Sequence, residues 1–277
     1  MAIVSFWNEG TEETGKSSAI AAITTLLGVN HNYKVLVINT KYNDHFYQDC
    51  YWKEDKTIKL IANSNNAKTD IGHGISGLSK AILSNKTSPE IVTNYAKIVF
   101  KDRLEILMDT NVDEEEYKIH KTIFKDIARI ANKYYDLVFI DIDNSLEDSI
   151  VDPLLELSDI VVVTLPQNLR SINKYLENLE EKEIFKTKEV MPLLGRYDKH
   201  SKYNAKNVAR YIKEKRGVMA IPYNTLFFEA CNEGKVGEFF WKFRRIKDKD
   251  KNYVFMSNVH DAAEKIVLRL QELQMRM

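Results

Sequence analysis

The sequence predicts an α/β fold in which helices flank a mostly parallel sheet. Short β-branched and apolar runs alternate along the chain with stretches of helical periodicity, which is typical of parallel strands joined by helices. Two of the runs, at residues 137–140 and 160–163, have no polar face, as expected for central strands buried on both sides. The predicted strands are residues 2–7, 34–39, 103–108, 137–141, 160–164, 190–194 and 218–221.

One region departs from this alternation. Residues 41–101 are richer in Asn, Lys, Asp and Ser and show no clear strand, so we expect loops and one or two helices inserted after the second strand. The 277 residues, of which 44% are hydrophobic, suffice for a sizeable core, and no repeat or linker divides them. The simplest organisation is a single domain over residues 1–277.

Charge and cysteine content exclude several classes of protein. Forty Lys and Arg residues balance forty Asp and Glu, so no net charge draws the whole chain towards nucleic acid or an anionic membrane. Cys50 and Cys231 form no C-x-x-C pair, which argues against a disulfide framework, a zinc site or an iron–sulfur cluster and favours the cytoplasm. No signal pattern and no apolar window of about 18 residues is present, so secretion and membrane insertion are not expected.

A phosphate-binding pattern, G-x-x-x-x-G-K-[ST], runs from Gly10 to Ser17 between the first strand and a helical stretch at residues 18–27. Glycines allow a tight loop, N–H groups of the loop and of the helix N-terminus face the phosphates, and Lys16 adds a positive charge. Ser17 would place its hydroxyl on Mg²⁺. The alternative is an ordinary turn between a strand and a helix.

Two acidic residues make this loop unusual. Glu12 and Glu13 put negative charge where a polyphosphate would approach. If their carboxylates point to solvent the cost to binding is small, and if they point inward the affinity falls.

A second pattern ends the strand at residues 137–141, where four apolar residues precede Asp141. A carboxylate at the carboxyl edge of the sheet can hold Mg²⁺ or its water shell beside Ser17, the role of a Walker B aspartate. Ser17 and Asp141 are therefore the predicted metal ligands. The alternative is an acid that caps a helix or turn, and Asp143 is a weaker candidate for the adjoining switch segment.

With these two patterns the chain resembles the MinD/ParA family of deviant Walker A ATPases, including the TadZ-like proteins of pilus assembly, over nearly its whole length. Residues 10–18 are similar to the family's GKGGxGKTT, and residues 136–143 to its YDxVIIDxPP. Other segments follow in the family's order: 34–39 (a strand that normally ends in an acid), 158–166 (AD.vlvvt.P), 194–198 (N-R-[YF]-D) and 220–224 (IP.d).

This resemblance implies a P-loop NTPase fold in a single P-loop ATPase-like domain, ATP or ADP with Mg²⁺ as cofactors, and a homodimer or protein partner. The predicted nucleotide-binding residues are Gly10, Thr11, Thr14, Gly15, Lys16, Ser17, Ser18 and Pro222.

Departures from the family pattern bear on activity. Thr11 stands where the family's signature lysine reaches the partner's phosphates, and Glu12 and Glu13 replace glycines. Asn39 replaces the acid that helps to orient the attacking water, and Gly195 replaces the asparagine that reads the base. Because positioning and electrostatics supply nearly all of phosphoryl-transfer catalysis, we expect weak or impaired hydrolysis and assign no catalytic residue.

Two further segments are candidates for contacts with a partner. Residues 239–247 interleave aromatic and basic side chains, which would suit DNA phosphates through Lys242, Arg244 and Arg245, although a partly buried helix with a solvated edge is favoured. The last helix carries an apolar seam that would pack on the sheet or on a partner, and a membrane-targeting helix is the less favoured alternative. The seam consists of Val259, Ala263, Ile266, Leu270, Leu273 and Met277.

The sequence thus predicts a cytoplasmic, nucleotide-binding positioning, partitioning or assembly factor. Nucleotide held by Lys16, Ser17 and Asp141 would order nearby loops and favour a dimer or partner-binding state. The alternatives are a non-hydrolysing scaffold that works through protein contacts and a DNA-partitioning protein that uses the basic aromatic segment.

Overall fold

The computed structural model of the chain describes residues 1–10, 12–52, 74–84 and 88–275. The strands in this part of the chain are β1 (Ala2–Trp7), β2 (Val35–Asn39), β3 (Lys97–Phe100), β4 (Leu104–Leu107), β5 (Leu137–Asp141), β6 (Ile160–Leu165), β7 (Glu189–Tyr197) and β8 (Met219–Pro222). They form one 8-stranded sheet with the order β3-β4-β2-β5-β1-β6-β7-β8. The β3–β4 pair is antiparallel and the other pairs are parallel.

Helices connect the strands. They are α1 (Lys16–Asn30), α2 (Phe46–Tyr51), α3 (Gly74–Leu83), α4 (Glu114–His120), α5 (Phe124–Ala131), α6 (Asp148–Leu157), α7 (Leu169–Glu181), α8 (Glu183–Thr187), α9 (Ala205–Tyr211), α10 (Thr225–Asn232), α11 (Val236–Phe243) and α12 (Tyr253–Gln274). The described residues also contain short 3-10 helices at Pro89–Asn94 and Lys121–Ile123.

Helices cover both faces of the sheet. Along β1, Val4 and Phe6 join a core shared with α1 and α12, whereas Ile3 and Trp7 join a second core shared with α5 and α6. Alternate side chains of a strand point to opposite faces, so a strand between two helical layers needs apolar residues at every position. This arrangement confirms the predicted α/β fold with a mostly parallel sheet.

All the predicted strands are present, and β1 and β5 have the predicted bounds. The main difference is β7, which continues to Tyr197. The prediction that residues 41–101 lack a strand was wrong, because Lys97–Phe100 forms β3. This edge strand is short and partly exposed, so its hydrophobic pattern is weak. Its pairing with β4 stabilises it, which no pattern within the segment shows. The described part of the inserted region also contains α2 and α3, as expected, while residues 53–73 and 85–87 lie outside the described residues.

The sheet order brings three chain segments together at one edge. Strand β5 lies between β2 and β1, with Asp141 in register with both Asn39 and Phe6. Since all three strands are parallel, the segments that follow them meet at the carboxyl end of the sheet, where α/β proteins bind their ligands. These segments contain the glycine loop, the turn after β2 and the residues after Asp141.

The predicted seam of the last helix is buried against α1 and β8. Its residues Val259, Ala263, Ile266 and Leu270 are in the core, Leu273 packs partly against it, and Met277 lies outside the described residues. Among the helices described, none has both the length and the hydrophobicity needed to cross a bilayer.

The aromatic and basic segment forms α11 and the turn after it. Phe239 and Phe240 are buried, while Lys242, Arg244 and Arg245 are exposed. This is the partly buried helix with a solvated edge that the sequence favoured.

Candidate functional site

The glycine loop leads from β1 directly into α1. Gly15 precedes the helix with a φ of 76°, a left-handed conformation that glycine adopts without strain. Helix α1 begins at Lys16, so the N–H groups of its first turn have no partner within the helix, and that turn contains no acidic side chain. The helix N-terminus is therefore suited to an anion.

Asp141 is the fully buried centre of the charge network at this edge. Its Oδ2 accepts a hydrogen bond from Tyr47 Oη at 3.0 Å and lies 3.4 Å from Lys41 Nζ. Its Oδ1 lies 3.6 Å from Lys16 Nζ. Burial alone would raise the pKa of the Asp141 carboxyl, but the charges of Lys41 and then Lys16 outweigh it and hold that pKa below its usual value. Asp141 is therefore a carboxylate balanced by two ammonium groups.

Lys16 lies close to the residues that follow β5. Its Nζ donates to the Ile142 carbonyl and, at 2.8 Å, to Asn144 Oδ1. Burial lowers the pKa of Lys16 to about 8, because the attraction of Asp141 only partly offsets the loss of hydration. The predicted phosphate-binding lysine thus also contacts the predicted switch segment.

Lys41 is a member of this site that the motifs did not reveal. Its Nζ donates to Ser17 Oγ and lies 3.7 Å from Asp44 Oδ2, in addition to its contact with Asp141. Burial would lower the pKa of Lys41, but Asp141 and then Asp44 outweigh this and raise it. A sequence signal existed, since the second residue beyond a central parallel strand lies at the ligand-binding edge.

The arrangement allows a test of whether Mg²⁺ fits between Ser17 and Asp141. Mg²⁺ binds oxygen ligands at about 2.0–2.1 Å in octahedral geometry. The Lys41 ammonium already contacts both oxygens, so an ion placed between them would overlap with it and be repelled by its charge. The two predicted ligands lie together as expected, but with Lys41 between them the site does not fit Mg²⁺.

A cavity of about 750 Å³ opens above this network. Lys16, Ser17 and Lys41 line one side of it, whereas Asp141, with no exposed surface, lies behind the two lysines. Further lining residues are Thr14, Gly15 and Ser18 of the glycine loop and first helical turn, Asn144 after β5, and Pro222, Tyr223, Asn224 and Phe228 at and beyond the end of β8. Three acidic residues, Glu12, Glu13 and Asp44, also line the cavity. The cavity thus combines a helix N-terminus and cationic groups, each with acidic neighbours, with an aromatic wall.

Solved structures of known proteins share this architecture, although sequence comparisons find no match. No protein-family model and no curated protein sequence matches the chain. It is similar to a ParA family ATPase from Chlorobium tepidum TLS, with a TM-score of 0.66 and 16% identity, over 95% of this chain and 97% of that one. It is also similar to the septum site-determining protein MinD of Pyrococcus horikoshii OT3 complexed with Mg-ADP, with a TM-score of 0.63 and 16% identity, over 96% and 95% of the two chains.

A third match is the MinC:MinD cell division protein complex of Aquifex aeolicus, with a TM-score of 0.58 and 14% identity, over 96% of each chain. A plasmid partition protein from Borrelia burgdorferi is similar at a TM-score of 0.51. The chain has the ParA/MinD fold.

Within the ParA/MinD fold, the structure explains one departure from the family pattern. A Cβ at Gly195 would lie 1.8 Å from the carbonyl oxygen of Thr14, because the glycine loop packs directly on β7. No side chain fits there, so the observed conformation of the glycine loop requires a glycine at residue 195. Thr14 is buried, and its hydroxyl has no hydrogen-bond partner among the described residues.

The two loop glutamates are paired at the rim of the cavity. Glu13 Oε2 lies 2.7 Å from Arg196 Nη2, and both side chains are exposed. Glu12 accepts a hydrogen bond from Ser171 Oγ at 3.1 Å. Both glutamates line the cavity, but the Glu13 carboxylate is paired with Arg196 and the Glu12 carboxylate is hydrogen-bonded, which lowers their cost to an incoming anion.

Asn39 and Asp143 both stabilise turns. The buried Asn39 amide donates to Asp44 at 3.2 Å and accepts from the Lys41 N–H at 3.3 Å, so it shapes the turn that carries Lys41. The Asp143 carboxylate accepts from the N–H and hydroxyl of Ser145.

The remaining predicted residues divide between two places. Pro222 lines the cavity, and its contact with nucleotide stays a prediction. Gly10 is exposed and borders a neighbouring cavity of about 860 Å³ that lacks the two lysines. Thr11 lies outside the described residues.

Proposed function

We propose that the chain binds ATP or ADP in the cavity beside Lys16 and acts as a nucleotide-dependent positioning, partitioning or assembly factor. The observation that carries the proposal is the joint position of Lys16, Lys41 and the N-terminus of α1 on one side of a cavity at the carboxyl edge of the sheet. A polyphosphate needs such a concentration of cationic and N–H donors.

A switch follows from the contacts of Lys16. Phosphate oxygens that accept from Lys16 compete with the Ile142 carbonyl and Asn144, which accept from it here. Binding would release the segment after β5, and with it the turn after β2, since Asp143 N donates to Thr40 Oγ1 at 2.8 Å. Nucleotide would thus change a surface beside the site.

Weak hydrolysis is part of the proposal. The buried Asn39 amide cannot act as a base, and its hydrogen bonds hold it within the turn. The alternative, a non-hydrolysing scaffold, shares the same binding site and differs only in turnover.

Replacing Lys16 with alanine tests the proposal. We expect a loss of affinity for ATP and ADP of about 10- to 100-fold, because a charge-assisted hydrogen bond to phosphate is removed. Titration calorimetry would measure binding, phosphate release would be followed on the same samples, and exposed Lys206 on α9, changed to alanine, is the matched control.

The outcomes separate the two functions. Binding that depends on Lys16 together with phosphate release supports an ATPase switch, and such binding without release supports the scaffold. Failure of the parent protein to bind either nucleotide would refute the proposed function.

Affinity should also depend on pH. Because the pKa of Lys16 is lowered to about 8, Lys16 in the free site loses its charge above that pH, and each further pH unit would weaken binding by up to about tenfold. Bound phosphate would raise the pKa of Lys16, so binding near pH 8 takes up a proton. Calorimetry in two buffers of different ionisation enthalpy measures this uptake, and equal heats in both would contradict the assignment.

Partners follow the same reasoning. We propose a homodimer or a protein partner, in keeping with the MinC:MinD complex among the similar structures. Contact with DNA through Lys242, Arg244 and Arg245 remains a prediction, and Arg244 is already stacked on Trp241, 3.6 Å from the ring centroid. Peripheral membrane contact is less favoured, because the seam of α12 is buried.

One P-loop ATPase-like domain over residues 1–277 also remains a proposal.

A further inference from the structure

The position of Lys41 bears on how phosphate is bound. In a site of this kind, a cation must lie between the strand-end carboxylate and the phosphates, because the two anions would otherwise repel each other. Here the Lys41 ammonium contacts both the Asp141 carboxylate and the Ser17 hydroxyl. It therefore lies where the predicted metal ion would have been.

The turn after β2 holds Lys41 in this place. Asn39 accepts from the Lys41 N–H, and Asp44 lies 3.7 Å from Lys41 Nζ. The Thr40 hydroxyl donates to the Asp141 carbonyl at 3.0 Å. The backbone carbonyl of Thr40 accepts from Tyr117 Oη at 2.8 Å. Backbone and side chain are thus anchored to β5 and to α4, so the position of Lys41 is set by the fold.

The charges also agree with this role. Asp141 is fully buried, and Lys16 and Lys41 both line the cavity in front of it. The Lys41 ammonium has three N–H donors, and its third neighbour, Asp44 Oδ2, lies at 3.7 Å, beyond hydrogen-bond distance, so part of its hydrogen-bonding capacity is left for a further acceptor. A phosphate oxygen in the cavity would be that acceptor.

We propose that Lys41 takes the place of Mg²⁺ in this site, so that the chain binds the phosphates of ATP or ADP without a divalent cation. The inference rests on the proposed nucleotide binding and adds to it a preference for nucleotide without bound metal. Since Mg²⁺ bound to ATP in solution covers phosphate oxygens that Lys41 would contact, the metal-free nucleotide is the preferred ligand.

The first test needs no variant. ATP is titrated into the parent protein once in EDTA and once in excess Mg²⁺. We expect binding in EDTA to be as tight as in Mg²⁺ or tighter. A loss of about tenfold or more in EDTA would overturn the inference while leaving nucleotide binding intact. Absence of binding in both conditions would instead refute the proposed function.

The second test removes the ammonium but keeps most of the stem. Lys41→Met should lose about 10- to 100-fold in ATP affinity in EDTA and regain affinity when Mg²⁺ is added, because Ser17 and Asp141 are then free to bind the ion. Lys41→Arg tests whether a charge alone suffices, and Lys206→Met on α9 is the matched control. Unchanged affinity of Lys41→Met in EDTA would count against the proposal.

Metal binding itself gives a readout that is independent of affinity for ATP. Mn²⁺ prefers the same oxygen ligands as Mg²⁺, and equilibrium dialysis with the same ATP concentration on both sides measures the Mn²⁺ that the protein retains. With ATP present, Lys41→Met should retain one Mn²⁺ that the parent protein does not. Equal Mn²⁺ binding by both proteins would contradict a displacement of the metal by Lys41. Thermal unfolding of each variant verifies that it is folded.

Discussion

Replacing Asp141 with asparagine should destabilise the fold by about 3–5 kcal/mol, because it leaves the buried Lys16 ammonium and the partly buried Lys41 ammonium without the carboxylate that balances them. Lys16 lies 3.6 Å and Lys41 lies 3.4 Å from the carboxylate oxygens. Asparagine has nearly the same shape, so the change tests the charge and not the packing. Urea unfolding at neutral pH would measure the difference in free energy.

The loss should be smaller at high pH. In the parent protein the pKa of Lys16 is lowered to about 8, so above that pH Lys16 no longer needs a counter-charge. In the variant its pKa falls further, and the folded state then binds fewer protons than the parent between neutral pH and about pH 8. The destabilisation should therefore grow as the pH is lowered and shrink as it is raised.

A double variant separates this charge effect from other causes. Adding Lys41→Met to Asp141→Asn removes one of the two unbalanced charges and should recover part of the lost stability. Additive losses, or a cost of Asp141→Asn below about 1 kcal/mol, would show that the three groups are not coupled.

The sequence was sufficient for the parts of this site that are local in the chain. The loop residues from Gly15 to Ser18 are contiguous, and their geometry follows from a glycine before a helix. Asp141 was found because an apolar strand that ends in an acid is itself a local pattern. Both lie at the carboxyl edge of the sheet as predicted.

The features that depend on how strands and helices pair could not be predicted from the sequence. Lys41 reaches Asp141 only because β2 pairs with β5 so that Asn39 and Asp141 are in register. Cys50 and Cys231, distant in sequence, are buried free thiols that interact between α2 and α10. Strand β3 gains its stability from β4 across a turn. Each of these features arises from tertiary contacts that no local window contains.

Gly195 gives the second large effect that we expect. Gly195→Ala should destabilise the fold by about 3 kcal/mol and weaken nucleotide binding, because overpacking against a fixed backbone costs at the upper end of the usual range. A Cβ there would lie 1.8 Å from the Thr14 carbonyl oxygen, and backbone cannot move aside as a flexible side chain can. Urea unfolding and titration with ATP would measure both effects.

Gly217→Ala is the matched control for this change. Gly217 has a φ of +80°, and a Cβ at this position would lie 3.9 Å from Lys265 Nζ, so alanine there adds backbone strain without a clash. That strain costs about 1–2 kcal/mol and should leave ATP affinity unchanged, because Gly217 lies on another loop. Suppose that Gly195→Ala lowers the free energy of unfolding no more than Gly217→Ala does and retains ATP affinity. The glycine loop can then move away from β7, and the conformation of the loop does not depend on the absence of a side chain at residue 195.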